Sequence, residues 1–299
     1  MNLRQLEYFV AIVEAGSLTG AAERLLVSQP SLSQQIGALE RELGGPLLER
    51  LPRGVRLTAA GQMLLPEAQA TLRHSERGRR SVRMAFGLDA GQVEVAVATS
   101  AAAGILPSVL RDWQERYHQI EVSLQEFPHR RALDEAVRGG AGDIGVGSMP
   151  ENWQGPLEHL GSEEFVLVLP EGDELLACPS VPLAELAQRR WVHFVPSHGL
   201  AAVVDFCCAL SGFAPRVAVR TSQVAAAPQF AATGLGPTLV PSHIVPVALR
   251  HLTRPASPRL VRPVVAFSRG DWTPLTGAFL AALHRYPWEP PPRGAIDLS

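Results

Sequence analysis

Apolar residues recur at helical spacing from the start of the chain. Leu3, Leu6, Phe9, Val10 and Val13 share one face of a helix over residues 3–14, which Gly16 ends. Ser17 is a suitable N-cap for a second helix carrying Leu18, Ala21, Ala22 and Leu25, and the two adjacent alanines let another helix approach closely. After a short break at Leu26-Val27-Ser28 comes SQPSLSQQIGALERELG, residues 28–44. Its apolar residues Leu32, Ile36, Leu39 and Leu43 are spaced by four, three and four, so this stripe is predicted to be buried. Ser28 or Gln29 serves as N-cap, and Pro30 falls in the first turn, where its missing N–H costs nothing. The opposite face carries short neutral hydrogen-bonding groups near the N-terminus rather than the Lys and Glu of an ordinary soluble face.

Two helices joined by a short turn predict a helix-turn-helix. Residues 46–58, PLLERLPRGVRLT, read as two short strands around Pro52-Arg53-Gly54, a wing. Thr58 caps a long helix from Ala59 to about Phe86, interrupted by Pro66. Leu65, Ala68, Leu72 and Val82 keep a heptad-like rhythm along it, with Ser75 and Arg79 as weak members, which suits dimerisation. Arg77, Arg79, Arg80 and Arg83 near its end read as a solvated face.

Beyond Leu88–Gly91 the pattern becomes α/β. Strands are predicted at 92–98, 120–126 and 143–147, with helices at 104–117 and 130–138 between them. A second α/β stretch begins near Phe165. It holds strands at 191–195, 217–220 and 238–241 and helices at 200–211 and 225–233. Residues 260–267 look like a strand returning to the first lobe, and 273–286 form a final helix. The tail from Pro287, with three consecutive prolines, is predicted to be disordered.

Composition narrows the function more than the fold. A chain of 299 residues that is 46% apolar can build two or three domains. Its net charge of −2 leaves no whole-chain signature for nucleic acid, so any such reading rests on a local feature. All 27 basic residues are Arg, as a GC-rich genome would give. The first sixteen residues lack a basic segment ahead of an apolar core, and no run approaches the ~20 apolar residues a bilayer span needs, so a cytoplasmic protein without membrane contact is expected. Cys178, Cys207 and Cys208 suggest buried thiols rather than a disulfide framework. The literal G-x-G-x-x-G of GAGDIG, residues 140–145, follows a predicted helix and precedes a predicted strand, the reverse of a dinucleotide site. His193 and His198 stand alone, no nucleophile elbow is present, and neither an enzyme nor a cofactor nor a metal site is expected.

The stretch LRQLEYFVAIVEAGSLTGAAERLLVSQPSLSQQIGALERELGGPLLER, followed by RGVRLTAAG, resembles the N-terminal domain of LysR-type transcriptional regulators. The ordered combination of AAERL, SQPSLSQQIGALE and LTAAG is highly specific and covers the first ~85 residues. GQVEVAVATSAAAGILPSVL and GLGPTLVP fit the family's effector-binding domain more loosely. Leu48 departs from the family's usual Phe before Glu-Arg, a core change. The resemblance implies a winged helix-turn-helix with a long linker helix, then a two-lobed α/β effector domain like a periplasmic binding protein. The segments are 1–58 for the DNA-binding domain, 59–87 for the dimerisation helix and 88–91 for the hinge. Residues 91–161 with 267–299 make one effector lobe, and 162–266 the other.

An α-helix fits the major groove, where Ser and Gln pair with base edges. Gln34 suits bidentate pairing with adenine, and Pro30 offers an apolar face to a thymine methyl. Gln29, Ser31 and Ser33 reach bases or phosphates, and the wing arginines Arg50, Arg53 and Arg56 reach phosphate or the minor groove. The implied partners are double-stranded DNA with an inverted repeat, a second copy of the chain (a dimer that assembles to a tetramer) and a small effector. Helix N-termini at strand ends favour an anionic effector. Its candidate residues are Thr99, Ser100, Pro128, His129, Ser197, His198, Ser222 and Gln223, while no Arg is assignable to the cleft. The run Ala101-Ala102-Ala103 makes that wall small, leaving room for a bulky or aromatic ligand. Two other readings stay open: a ligand-binding protein that does not read DNA sequence, and a regulator controlled by thiol oxidation.

Overall fold

The computed structural model describes residues 1–51, 54–85 and 91–298. The chain divides into two units, one built from Met1–Gly91 and one beginning at Gln92.

In the first unit, α1 (Leu3–Ala15), α2 (Leu18–Arg24) and α3 (Gln29–Leu43) precede β1 (Leu48–Leu51), β2 (Gly54–Leu57) and α4 (Ala59–Ala85). Leu6, Phe9, Ile12, Ala21, Leu32, Ile36 and Leu39 form its buried core. Leu43, expected in the buried stripe of α3, is 46% exposed because it lies in the last turn, just before Gly44 ends the helix. Ala68 is buried and Leu65 and Leu72 are half-buried against this same core, whereas Val82 is exposed. The first half of α4 therefore spends its apolar face within its own unit. Pro66 is accommodated inside the helix.

The turn between α2 and α3 contains a strained residue. The Leu26 N–H donates to the Glu23 carbonyl at 3.2 Å and the Val27 N–H to the Ala22 carbonyl at 3.0 Å. These bonds end α2 with Leu26 in the left-handed region, φ 53°. Glycine or asparagine usually occupies such a position, and a leucine there costs ~1–2 kcal/mol.

The second unit is built on a mixed sheet. In chain order its elements are β3 (Gln92–Ala98), α5 (Thr99–Gly104), α6 (Leu106–Arg116), β4 (Glu121–Phe127), α7 (Arg130–Arg138), β5 (Ile144–Gly147), β6 (Leu157–Val168), β7 (Val181–Pro182), β8 (Arg190–Phe194), α8 (Gly199–Leu210), β9 (Arg216–Thr221), α9 (Ala227–Phe230), β10 (Thr238–Pro241), β11 (Thr253–Phe267), α10 (Pro274–His284) and β12 (Ile296–Asp297). The strand order is β10-β6-β11-β5-β3-β4, with β7 and β12 alongside β11, while β8 and β9 form a separate parallel pair. Two cores flank these strands. One centres on Val95, Val97, Ile105, Trp113, Phe279 and Leu283, the other on Phe165, Leu167, Trp191, Phe194, Val204 and Leu239. The antiparallel pair β6–β11 serves both, and both strands run several residues further than the apolar pattern predicts. Their extra residues include Glu158, His159, Arg254 and Arg259, whose polar character hides a strand.

The tail is ordered, contrary to expectation. Gly161 lies directly against the Trp288 side chain, β12 pairs with Leu260–Val261, and the Leu298 N–H donates to the Val261 carbonyl at 2.8 Å. Burying Trp288 and Ile296 offsets the entropy that the prolines alone suggested would be kept.

A buried ion cluster ties the two long strands together. Glu163 on β6 and Arg262 on β11 are direct register partners, and Arg262 Nε donates to Glu163 Oε1 at 2.7 Å. His243 Nε2 lies 2.7 Å from Glu163 Oε2. Burial works against the Glu163 carboxylate, but Arg262 and His243 together outweigh it and hold its pKa at about 2, below the ordinary 4.5. Glu163→Ala should cost ~3–5 kcal/mol in urea unfolding, because Arg262 would keep a buried charge without a partner. The folded pKa is depressed, so the Glu163 contribution should be complete above about pH 4.5 and fade as pH falls toward 2. Acid titrations of wild type and variant should converge over that range.

Candidate nucleic-acid interface and effector cleft

Packing fixes which face of α3 looks outward. Leu32, Ile36 and Leu39 are buried, so Gln29, Pro30, Ser31 and Gln34 are exposed, with Ser33 half-buried. Ser28 is the N-cap, its Oγ accepting from the Ser31 N–H at 3.3 Å. No acidic residue stands in the first turn, so the positive end of the helix dipole is left for an external anion.

The wing is held beside this helix by backbone contacts. Glu40 Oε1 accepts from the Leu47 N–H at 2.8 Å and the Leu48 N–H at 3.2 Å. The Val55 N–H donates to the Gly16 carbonyl at 3.0 Å. At Gly54, φ 99°, a Cβ would sit 2.5 Å from that same carbonyl oxygen, so only glycine fits. Arg56 donates to Glu49 Oε2 at 2.6 Å across the wing, an exposed pair worth at most ~1 kcal/mol that a phosphate could displace. Arg50 stands in β1 opposite Val55. The Arg50 side chain and all of Arg53 lie outside the described residues.

The structure brings several of the predicted effector residues together between the two cores of the second unit. Thr99 Oγ1 donates to the Phe127 carbonyl at 3.1 Å, joining the ends of β3 and β4. Ser100 is 5% exposed and makes no hydrogen bond through its side chain among the described residues. Helix α5 packs against the turn Val224–Ala226, next to Ser222 and Gln223, and against the turn Ser242–Ile244. Ser197, Ser222 and Gln223 are exposed.

Across the cleft, the Gly199 N–H donates to the Pro128 carbonyl at 2.8 Å, and a Cβ on Gly199 would lie 3.1 Å from His129 Cα. His129 Nδ1 accepts from the Ala132 N–H at 3.1 Å and so caps α7. His198 Nδ1 accepts from the Leu200 N–H at 3.1 Å, which leaves the ring proton on Nε2. That Nε2 is buried and has no partner. The His198 ring stacks on Phe194, centroids 5.1 Å apart. Burial first, then the charges of Arg262 and His129, lowers its pKa and favours the neutral imidazole.

Two expectations need revising. The N–H groups that begin α8 are engaged: Gly199 with Pro128, Leu200 with the His198 ring, and Ala201 with the His198 carbonyl. Arg262 reaches the cleft's electrostatics although no arginine was assignable there. Its strand pairing with Glu163 joins positions 99 residues apart, which no local pattern reveals. The two cores' elements also touch here. At Gly104 a Cβ would meet the His243 carbonyl oxygen at 2.7 Å. A cavity of about 690 Å³ bordered by Glu163, Arg250, Arg259, Tyr286 and Trp288 contains none of the eight candidate effector residues.

The buried thiols Cys207 and Cys208 offer poor nucleophiles. Burial pushes Cys207 up to about 11, and burial with the neighbouring Cys207 and Asp205 charges pushes Cys208 up to about 12. Among the described residues no group of His, Cys, Asp and Glu side chains could hold a metal ion, and no helix is long and apolar enough to cross a membrane.

Comparison with known proteins places both units. Residues 3–62 match the family described as bacterial regulatory helix-turn-helix protein, lysR family, and residues 86–287 match the LysR substrate binding domain. The chain is 35% identical over 254 residues to the HTH-type transcriptional regulator TfdS of Cupriavidus pinatubonensis, covering 83% of this chain and 84% of that protein. It is 29% identical over 245 residues to the regulator AlsR of Bacillus subtilis, covering 81% of each. Full-length CbnR crystallised with its target DNA superposes with a TM-score of 0.71 at 27% identity, over 95% of this chain and 99% of that one.

At pH 8 the native protein should take up iodoacetamide at Cys178 alone, with Cys207 and Cys208 reacting only after unfolding, as peptide mass mapping would show. Gly104→Ala should lose ~1–3 kcal/mol of stability, since the methyl must part α5 from His243, and exchange of amide hydrogens at both segments should accelerate.

Proposed function

The chain belongs to the LysR family of DNA-binding transcriptional regulators, and on that premise we propose that the N-terminal face of α3 reads an inverted-repeat operator under the control of a small anion bound between the lobes. The observation that carries the DNA reading is the exposed neutral row Gln29, Pro30, Ser31 and Gln34, held outward by the buried stripe beneath it. Gln34 supplies a bidentate contact to adenine, Pro30 an apolar contact to thymine, and Ser31, Ser33 and Gln29 reach bases or phosphates. Arg50, Arg53 and Arg56 hold the wing to the backbone. The protein acts in the cytoplasm by binding rather than catalysis. Its copies pair through the helix over residues 59–87, and the α/β domains carry the assembly further to a tetramer.

For the effector, residues 91–161 and 267–299 form one lobe and 162–266 the other. The ligand's carboxylate takes the Gly199 N–H from the Pro128 carbonyl and accepts from His198 Nε2 and the Ser100 hydroxyl. Thr99, His129, Ser197, Ser222 and Gln223 line the same opening. A neutral imidazole whose buried Nε2 donor has no partner favours a hydrogen-bond acceptor over a cation.

The test is to incubate the purified full-length protein with sheared genomic DNA from its source at physiological salt and sequence the retained fragments. An enriched inverted repeat is the expected result, and flat enrichment in both the presence and absence of cell extract would overturn the DNA reading. On the selected operator, Gln34→Ala should cost ~1–3 kcal/mol with little loss on random DNA. Small carboxylates that alter the footprint of the wild type should fail to do so with Ser100→Ala.

A further inference from the structure

Leu26 breaks two rules at once. Its backbone is left-handed, φ 53°, where glycine or asparagine is unstrained. Its side chain is 93% exposed and therefore recovers nothing by packing. Asparagine at this position would remove the strain without giving up any buried contact, so folding stability does not account for the leucine. Strain that the surrounding structure does not compensate points to a partner that does.

The position names the partner. Leu26 belongs to the turn of the helix-turn-helix, two residues ahead of Ser28, the N-cap of α3. Gln29, Pro30 and Ser31 follow immediately and are all exposed. We propose that Leu26 makes an apolar contact with the operator at the mouth of the major groove, against deoxyribose carbons or a thymine methyl, and so helps fix how α3 enters. An uncharged branched side chain suits those C–H surfaces and gives nothing to a phosphate. This inference rests on α3 being the reading helix.

Two variants separate contact from strain. Leu26→Asn relieves the backbone and removes the apolar surface, while Leu26→Met keeps both strain and surface. Asparagine should raise Tm by ~2–4 °C and weaken operator binding roughly five- to tenfold, the factor for half-burying one leucine. The dependence of affinity on salt should not change, because no phosphate contact is lost. Methionine should bind within about twofold of wild type, about 0.4 kcal/mol, with no gain in Tm.

Equal operator affinity for Leu26→Asn and wild type would overturn the proposal. So would unchanged DNA binding coupled with lost transcription by purified RNA polymerase, which would make the partner a protein, or a changed oligomeric state in sedimentation. A wild type without sequence preference would instead overturn the operator reading itself. Binding of both proteins to a random duplex at low salt then decides on Leu26, and equal affinity there sinks the contact.

Discussion

The second unit depends on the long antiparallel ladder between β6 and β11. These strands are the only elements among the described residues that serve both cores, and the Glu163–Arg262–His243 cluster sits where one core gives way to the other. A carboxylate this buried is tolerated because both oxygens are satisfied. The cluster therefore specifies register as well as stability: slipping β11 by one residue would place Arg262 on the opposite face and strand Glu163. His243 extends that constraint to the turn Ser242–Ile244, and Gly104 carries it to α5 by allowing the helix backbone to lie against the His243 residue.

This arrangement bears on how a ligand would act. The lobes meet through Gly104 with His243 on one strip and through Gly199 with Pro128 on another. Near these strips lie Ser100, a buried residue, and His198, whose buried Nε2 lacks a partner. The unmet donor of His198 stands next to the single backbone hydrogen bond between Gly199 and Pro128. In the proposed reading, an anion bridging Ser100 and His198 would compete with the Pro128 carbonyl for the Gly199 N–H.

The first unit follows a different logic. Its core is local, and its polar surface is defined by what the core leaves over. The same buried stripe that stabilises α3 orients Gln29, Pro30, Ser31 and Gln34 outward, and Glu40 reaches back to place the wing. The leucine in the turn departs from that economy and marks where folding and function disagree.

Helical spacing, the Ser caps, Pro30 and the Gly stops determined the helix-turn-helix, and with it the outward-facing row, because each of those signals acts within a few residues. The alternation in residues 92–98 likewise announced a strand. Local pattern could not reveal that β6 and β11 extend through charged residues, that Glu163 meets Arg262, or that the tail folds back on Gly161. Nor could it reveal that the first amide of α8 is already taken by Pro128. Each of these depends on residues tens of positions apart becoming neighbours, and pairing register and burial, which decide them, exist only once the sheet has formed.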